Sequence, residues 1–485
     1  MIRLLAGAGV FTAAMGISLY ANAATAPEPQ EPRGVVKLRL LGVNDFHGHL
    51  DPPRPGVGGA AWLKAHLDRA AVAGRTIRVH AGDMVGASPL LSSWFHDEPS
   101  IEAANAIGFD VGTVGNHEFD EGGAELLRLL RGGQRTGAEA FKPDVDGQLV
   151  NTSSPGFAGA RFPYIAANTV RPSGELLLRP YMVVERAGVD VGFIGVTTPS
   201  TPKFLLPRHA QEYRFTDISR AVNRWVQALR ARGVETIVVL AHAGAPEQDE
   251  SDAPELVGEI VDETREMSPA VDVVIAGHSH SRLDLRVPNA NGQGDKLVVE
   301  ASSYGVAFDL VDLTVDTSTG DVVAKSGRVP ATDHADALPD AEVAELVSGY
   351  RARVAPLATR VVGRSETALT RSGGTLGRLA AEAERAFART DAAVVHRGAL
   401  RADIEPGPIT YAEVAEALAY DHRVMRFELT GRELAHFAEH GAYVAGPSDL
   451  EPGRVYSVAA SEMLAPQGRP LGTEVEAVSR YLTRR

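Results

Sequence analysis

Residues 37–320 alternate short Val/Ile/Leu-rich runs with stretches whose apolar positions recur at helical spacing. Lys37–Val43, Thr76–His80, Val111–Val114, Tyr164–Ala167, Val191–Val196, Thr236–Leu240 and Val271–Ala276 read as buried strands. Ala60–Ala73, Ala124–Arg131, Ile218–Arg232 and Glu255–Glu266 predict helices between them, and Val298–Ala301 and Phe308–Val315 predict two further strands in succession. Such alternation predicts an α/β domain that binds its ligands beyond the carboxyl ends of the strands. Gly132–Pro155 is polar and Gly-rich, which predicts a surface loop. At 337–360, Val343, Leu346, Val347 and Tyr350 interleave with Asp340, Glu342, Glu345, Arg351 and Arg353, the amphipathic spacing of a connecting helix. Residues 361–485 then predict a smaller second domain.

The chain has 485 residues, 44% hydrophobic and 23% charged, a globular composition with room for two or three domains. Its first residues read as an export signal, residues 1–23. Met1-Ile2-Arg3 is a short positive start, Leu4–Tyr20 is apolar, and Ala21-Asn22-Ala23 is a small-residue cleavage site. The alternative is an uncleaved membrane anchor. Pro27, Pro29 and Pro32 make 24–36 a Pro-rich linker. No second stretch of about 20 apolar residues follows, so no stable membrane insertion is expected after cleavage. The expected location is periplasmic, cell-wall-associated or secreted. With no cysteine, a disulfide framework and a lipid-modified cysteine are both excluded. A net charge of −14 argues against nucleic-acid polymers as partners. It leaves room for a small phosphate ester, because bound dications reverse the local field.

Five predicted strands end in ligand-type side chains: Asp45-Phe46-His47, Gly82-Asp83, Gly115-Asn116-His117-Glu118, Ala241-His242 and Gly277-His278-Ser279-His280. Each alone says little; a Gly-Asp after a strand is commonly a turn. Together they supply the carboxylate, imidazole and amide donors that hold two divalent cations side by side.

Asp-x-His, Gly-Asp, Gly-Asn-His-Glu, His and Gly-His-x-His in this order resemble the calcineurin-like metallophosphoesterase signature. The runs N-D-F-H-G-H (44–49), G-N-H-E-F-D (115–120) and A-G-H-S-H (276–280) look like the exported 5′-nucleotidase/UDP-sugar hydrolase branch. The resemblance implies a four-layer α/β/β/α sandwich over 37–330, a helical connector over 337–360 and an α+β 5′-nucleotidase-like domain over 361–485. It implies that Asp45, His47 and His280 hold one metal, that Asn116, His242 and His278 hold another, and that Asp83 bridges both. The metals would be manganese, zinc, cobalt or iron, and a metal-activated hydroxide would attack phosphorus. His117 would stabilise the transition state or protonate the leaving oxygen. Asp120 would orient His117, or else cap a helix over 121–131. His49 is a candidate supporting residue. His66, His80, His96, His209, His334, His436 and His440 have no matching context.

In the second domain, Leu376-Gly377-Arg378, the run 396–404, Gly407-Pro408-Ile409-Thr410-Tyr411 and Leu429–Leu434 resemble the part of the family that binds the nucleoside and rotates to deliver the phosphate. Arg378, Arg401 and Tyr420 are the implied substrate residues. The departures are specific. The family's N-G-G-G-I-R stands here as His396–Arg401, with fewer glycines, and its P-F-G-N as Ala419-Tyr420-Asp421-His422. Ser461–Pro470 replaces the segment that normally carries a second base-stacking ring, a loss of about 1–3 kcal/mol. The expected activity is therefore 5′-nucleotidase-type hydrolysis. The alternatives are the same chemistry on cyclic nucleotides, UDP-sugars, non-nucleotide phosphoesters or a sulfur ester, and a non-catalytic metal-bound binding protein.

Overall fold

The computed structural model describes residues 34–144, 147–247 and 256–484. The export signal, most of the Pro-rich linker and the first residue of the predicted 255–266 helix lie outside the described residues.

Two six-stranded sheets pack face to face. The first runs Val322–Arg328, Asp309–Asp316, Val35–Val43, Thr76–His80, Val111–Thr113, Tyr164–Ile165. The second runs Arg282–Pro288, Asp295–Ala301, Val273–Ile275, Thr236–His242, Val189–Thr197, Tyr181–Arg186. Strand periodicity sorts side chains between layers. Leu38 and Leu40 enter the core between the sheets, whereas Leu41 and Val43 face helices. Likewise Val238 and Leu240 point between the sheets, and Val239 and Ala241 point outward. Helices Ala60–Ala70, Glu98–Ile107 and Gly123–Arg131 cover the first sheet, and Ile218–Arg230 and Glu259–Glu266 the second. The result is the α/β/β/α sandwich expected from the sequence. The parallel strands Val35–Val43, Thr76–His80 and Val111–Thr113 end together, as do Thr236–His242 and Val273–Ile275, so all five motif-bearing loops gather at one edge.

Several elements differ from the pattern reading. Glu98–Ile107 is a helix with Pro99 in its first turn, a position where the missing N–H costs nothing. Arg282–Pro288 is an edge strand alternating exposed and buried residues, so its charges conceal its apolar half. Tyr181–Arg186 and Val322–Arg328 are edge strands too. The predicted loop at 132–155 contains a hairpin, Phe141–Pro143 against Leu149–Asn151. Its end is held in place rather than splayed on the surface: the Ser153 hydroxyl and the Ser154 N–H both donate to the buried Glu98 carboxylate, at 3.0 and 2.8 Å.

Helix Ala341–Ala358 is capped by Asp340, whose carboxylate accepts from the Val343 N–H at 3.0 Å. Its Val343, Val347 and Tyr350 join one apolar cluster with Leu63 and Ile101 of the first part and Leu376, Val414 and Val478 of the second. The C-terminal part is a five-stranded sheet, Tyr443–Ala445, Ala392–Val395, Val455–Ser461, Arg423–Thr430, Arg469–Thr473. Helices Thr375–Ala388 and Glu474–Thr483 and the helix Gly431–Glu439 pack around it. No described helix is long and apolar enough to cross a membrane.

Candidate metal centre

At three of the five strand ends the backbone is bent where the chemistry lies. Asp45, His47, Asp83, His278 and His280 all adopt positive φ, from 46° to 78°. Non-glycine residues rarely sit there, and such strain concentrates at functional sites. Gly115 lets two of these loops meet, since a Cβ there would stand 2.1 Å from Asp83 Oδ1.

Two clusters form side by side. Asp45, His47 and His280 make one, with His280 Nε2 3.3 Å from Asp45 Oδ1 and 3.2 Å from His47 Nε2. Asp83, His242 and His278 make the other, and Asn116 Oδ1 joins it 3.1 Å from His242 Nε2. Asp83 Oδ2 lies between them, 3.0 Å from His242 Nε2 and 3.7 Å from His47 Nε2. All seven predicted ligands are thus brought together.

The donor set fits divalent metals. His47 Nδ1–H donates to the Gly86 carbonyl at 2.8 Å, and His242 Nδ1–H to the Ala81 carbonyl at 2.9 Å. A backbone acceptor on one ring nitrogen is the usual support of a metal-binding histidine. It turns His242 Nε2 toward two oxygens, which calls for positive charge there, on the ring or on a bound ion; burial opposes a charged ring, but Asp83 outweighs it and raises the His242 pKa to about 10. Asp45 Oδ1 is fully buried with no hydrogen-bond partner, while its Oδ2 accepts from Asn44 Nδ2 at 2.7 Å and the His278 N–H at 2.9 Å. A bare buried carboxylate oxygen is costly unless a cation meets it. Burial alone would raise the Asp45 carboxyl; the neighbouring His280, His47 and His242 rings bring it well below the ordinary value.

His117 stands beside both clusters. Its backbone N–H donates to Asp83 Oδ1 at 2.8 Å, and its Nδ1 pairs with Asp120 Oδ2 at 2.7 Å. Burial opposes its charge, but Asp120 and Asp83 outweigh that and raise its pKa to about 9. Asp120 does not cap the start of a helix: the next helix begins at Gly123, with Gly122 at its N-cap. Glu118, which sequence reasoning passed over, ties the loops together. Its carboxylate accepts from the backbone N–H groups of Asp83, Met84 and Gly115 at 2.9, 2.9 and 2.6 Å.

The second domain reaches this centre. The Tyr420 ring stacks on His117 (centroids 5.8 Å apart, 26° between planes) and on His422 (5.3 Å, 18°). Arg401 lies over the Tyr420 ring at 5.5 Å and reaches the Tyr304 hydroxyl at 3.4 Å. His49 packs on Tyr304, centroids 4.0 Å apart. Tyr304 is a second residue that the sequence did not single out. Arg378 departs from expectation: it is exposed, and its guanidinium turns back to the Gly373 carbonyl at 3.2 Å. In place of the missing aromatic segment, Glu462 forms an ion pair with Arg208 across the domains. A cavity of about 390 Å³ beside His117 is lined by Phe204, Arg208, Tyr420, His422 and Glu462, among others.

The calcineurin-like phosphoesterase family matches residues 38–282, the stretch that holds both clusters. The chain belongs to that family. Residues 354–468 match the 5′-nucleotidase C-terminal domain, so this phosphoesterase carries the two-domain arrangement of the 5′-nucleotidases. It is 34% identical over 438 residues to endonuclease YhcR of Bacillus subtilis, and 29% identical over 456 residues to the cell wall protein Lmo0130 of Listeria monocytogenes. These alignments cover 86% and 84% of the chain but only 33% and 56% of those longer proteins. A solved 5′-nucleotidase precursor from Thermus thermophilus shares the fold, with a TM-score of 0.74 at 24% identity, covering 93% of this chain and 96% of that one.

Proposed function

We propose that this phosphoesterase is an exported, dinuclear metal-dependent phosphohydrolase that cleaves nucleotide phosphate esters. The observation that carries the reading is Asp83, whose single carboxylate stands within reach of both histidine clusters. Asp45, His47 and His280 would hold one divalent ion, Asn116, His242 and His278 the other, and Asp83 both. The nitrogen and oxygen donors suit manganese, zinc, cobalt or iron. When bound, such a pair supplies an activated water and charge neutralisation at phosphorus.

The chain's own groups do the rest. Asp120 holds the His117 ring by Nδ1 and keeps it protonated, which leaves Nε2 to donate to a phosphoryl or leaving oxygen. Arg401 presents a fixed cationic fork beside the centre, suited to an anionic substrate. Glu118 holds the Asp83 and Gly115 loops in register, so its role is positional.

One observation favours the wider reading, the same chemistry on cyclic nucleotides, sugar nucleotides or non-nucleotide esters. Tyr420 lines the cavity, but its ring already stacks on two imidazoles, His117 and His422, so a nucleobase would have to share the ring with them. The deciding experiment is phosphate release by the chain starting near residue 24, with and without manganese. The panel holds nucleoside mono-, di- and cyclic phosphates, UDP-glucose and small phosphomonoesters. Manganese-dependent release fastest from nucleoside monophosphates is expected. Release from small esters alone would keep the metal chemistry and remove the nucleotidase assignment.

A further inference from the structure

We propose that His436, Glu439 and His440 form a separate, peripheral site for a transition-metal ion. They lie three and four residues apart on helix Gly431–Glu439 and its C-terminal cap, so they share one face. That face is exposed, while Leu434 on the same helix is buried in the sheet. One ligand atom from each residue lies within 4.8 Å of the other two. The imidazole centroids are 4.0 Å apart. His440 Nδ1–H donates to the His436 carbonyl at 2.8 Å, which fixes the tautomer and leaves the Nε2 lone pair free for an ion. This is the same backbone support that His47 and His242 receive at the buried centre. Two imidazoles and a carboxylate select zinc, nickel, copper or cobalt over magnesium and calcium. The remaining coordination positions face solvent, so the ion exchanges freely. It also ties the last helical turn to its cap, which stabilises the C-terminal part by binding only its folded form.

The test compares the full chain with His436→Ala/His440→Ala after chelator washing and equilibration with the same free zinc. The variant is expected to hold about one zinc fewer per chain, with unchanged phosphate release, since the difference reports only the imidazole pair. His436→Gln/His440→Gln should behave alike, which separates ligand loss from any change in helix propensity. Equal zinc content in parent and variants overturns the site, whatever the buried centre holds.

Independently, the geometry points to Tyr304 as the residue that positions Arg401. Tyr304 sits at φ 60°, and its N–H donates to the Asp45 carbonyl at 2.7 Å. Its ring leans on His49 and stands edge-on to His280 and His47, at 5.4 and 5.9 Å. Its hydroxyl meets Arg401 Nη2 at 3.4 Å, while the Tyr420 hydroxyl meets Nη1 at 3.5 Å. One phenol from each domain therefore brackets the guanidinium, and the Tyr304 phenol is fixed to the loop that carries Asp45. This role rests on the phosphoesterase reading, which wild-type release of phosphate from AMP tests first and separately. Tyr304→Phe keeps the ring packing and removes the hydroxyl. It is expected to raise KM for AMP about 3- to 10-fold with little change in kcat, the scale of one hydrogen bond. In an Arg401→Ala background the same change should have less than about a twofold effect, because coupled neighbours are not additive. An equal effect in both backgrounds, or a fall in kcat alone, overturns the positioning role.

Discussion

Asp83→Ala is expected to empty both ligand clusters and to lower phosphoester hydrolysis by at least about 10³-fold, more than the loss of one charge-stabilising donor. Its carboxylate reaches both ligand clusters and the His117 backbone. Its Oδ2 lies 3.0 Å from His242 Nε2 and 3.7 Å from His47 Nε2, and its Oδ1 accepts the His117 N–H at 2.8 Å. Removing it leaves buried imidazoles facing one another without a shared counter-charge. Asp83→Asn keeps the shape and the His117 contact, and is expected to lose metal more gradually. Metal content by elemental analysis, alongside a thermal melt that checks folding, reads the result. Two retained equivalents in Asp83→Ala would contradict the bridging role.

His117→Asn should act in the opposite way, cutting turnover about 10²–10⁴-fold, the range of a proton-transfer or charge-stabilising group, while metal content stays as in the parent. His117 lies within reach of His47 and Asp83, but its Nδ1 is taken by Asp120, which suits a proton-transfer role. Burial disfavours the charged ring, and only Asp120 and Asp83 keep it protonated. Asp120→Asn should therefore weaken turnover too, by freeing the ring and lowering its basicity. Loss of metal from His117→Asn would mean that the residue is a ligand.

The five ligand-type loops were legible because each follows a strand-like Val/Ile/Leu-rich run, and Thr236–His242 is buried along its whole length. What followed from joining distant loops was not legible. Glu118 matters through three backbone N–H groups, and backbone donors leave no mark in a sequence. Tyr304 matters because a second domain brings Arg401 to its hydroxyl. The edge strand Arg282–Pro288 was hidden by its own charges, which face outward at alternate positions. Arg378 carried a matching local motif, yet its guanidinium folds back on Gly373, because a motif fixes neighbours along the chain and not the direction of a long side chain.

Anomalous diffraction from crystals of the full chain grown with manganese tests the central claim most directly. The account predicts two manganese peaks about 3.5–4 Å apart, both in contact with the Asp83 carboxylate, one flanked by Asp45, His47 and His280 and the other by Asn116, His242 and His278. A single peak, or two peaks of which only one touches Asp83, would contradict it.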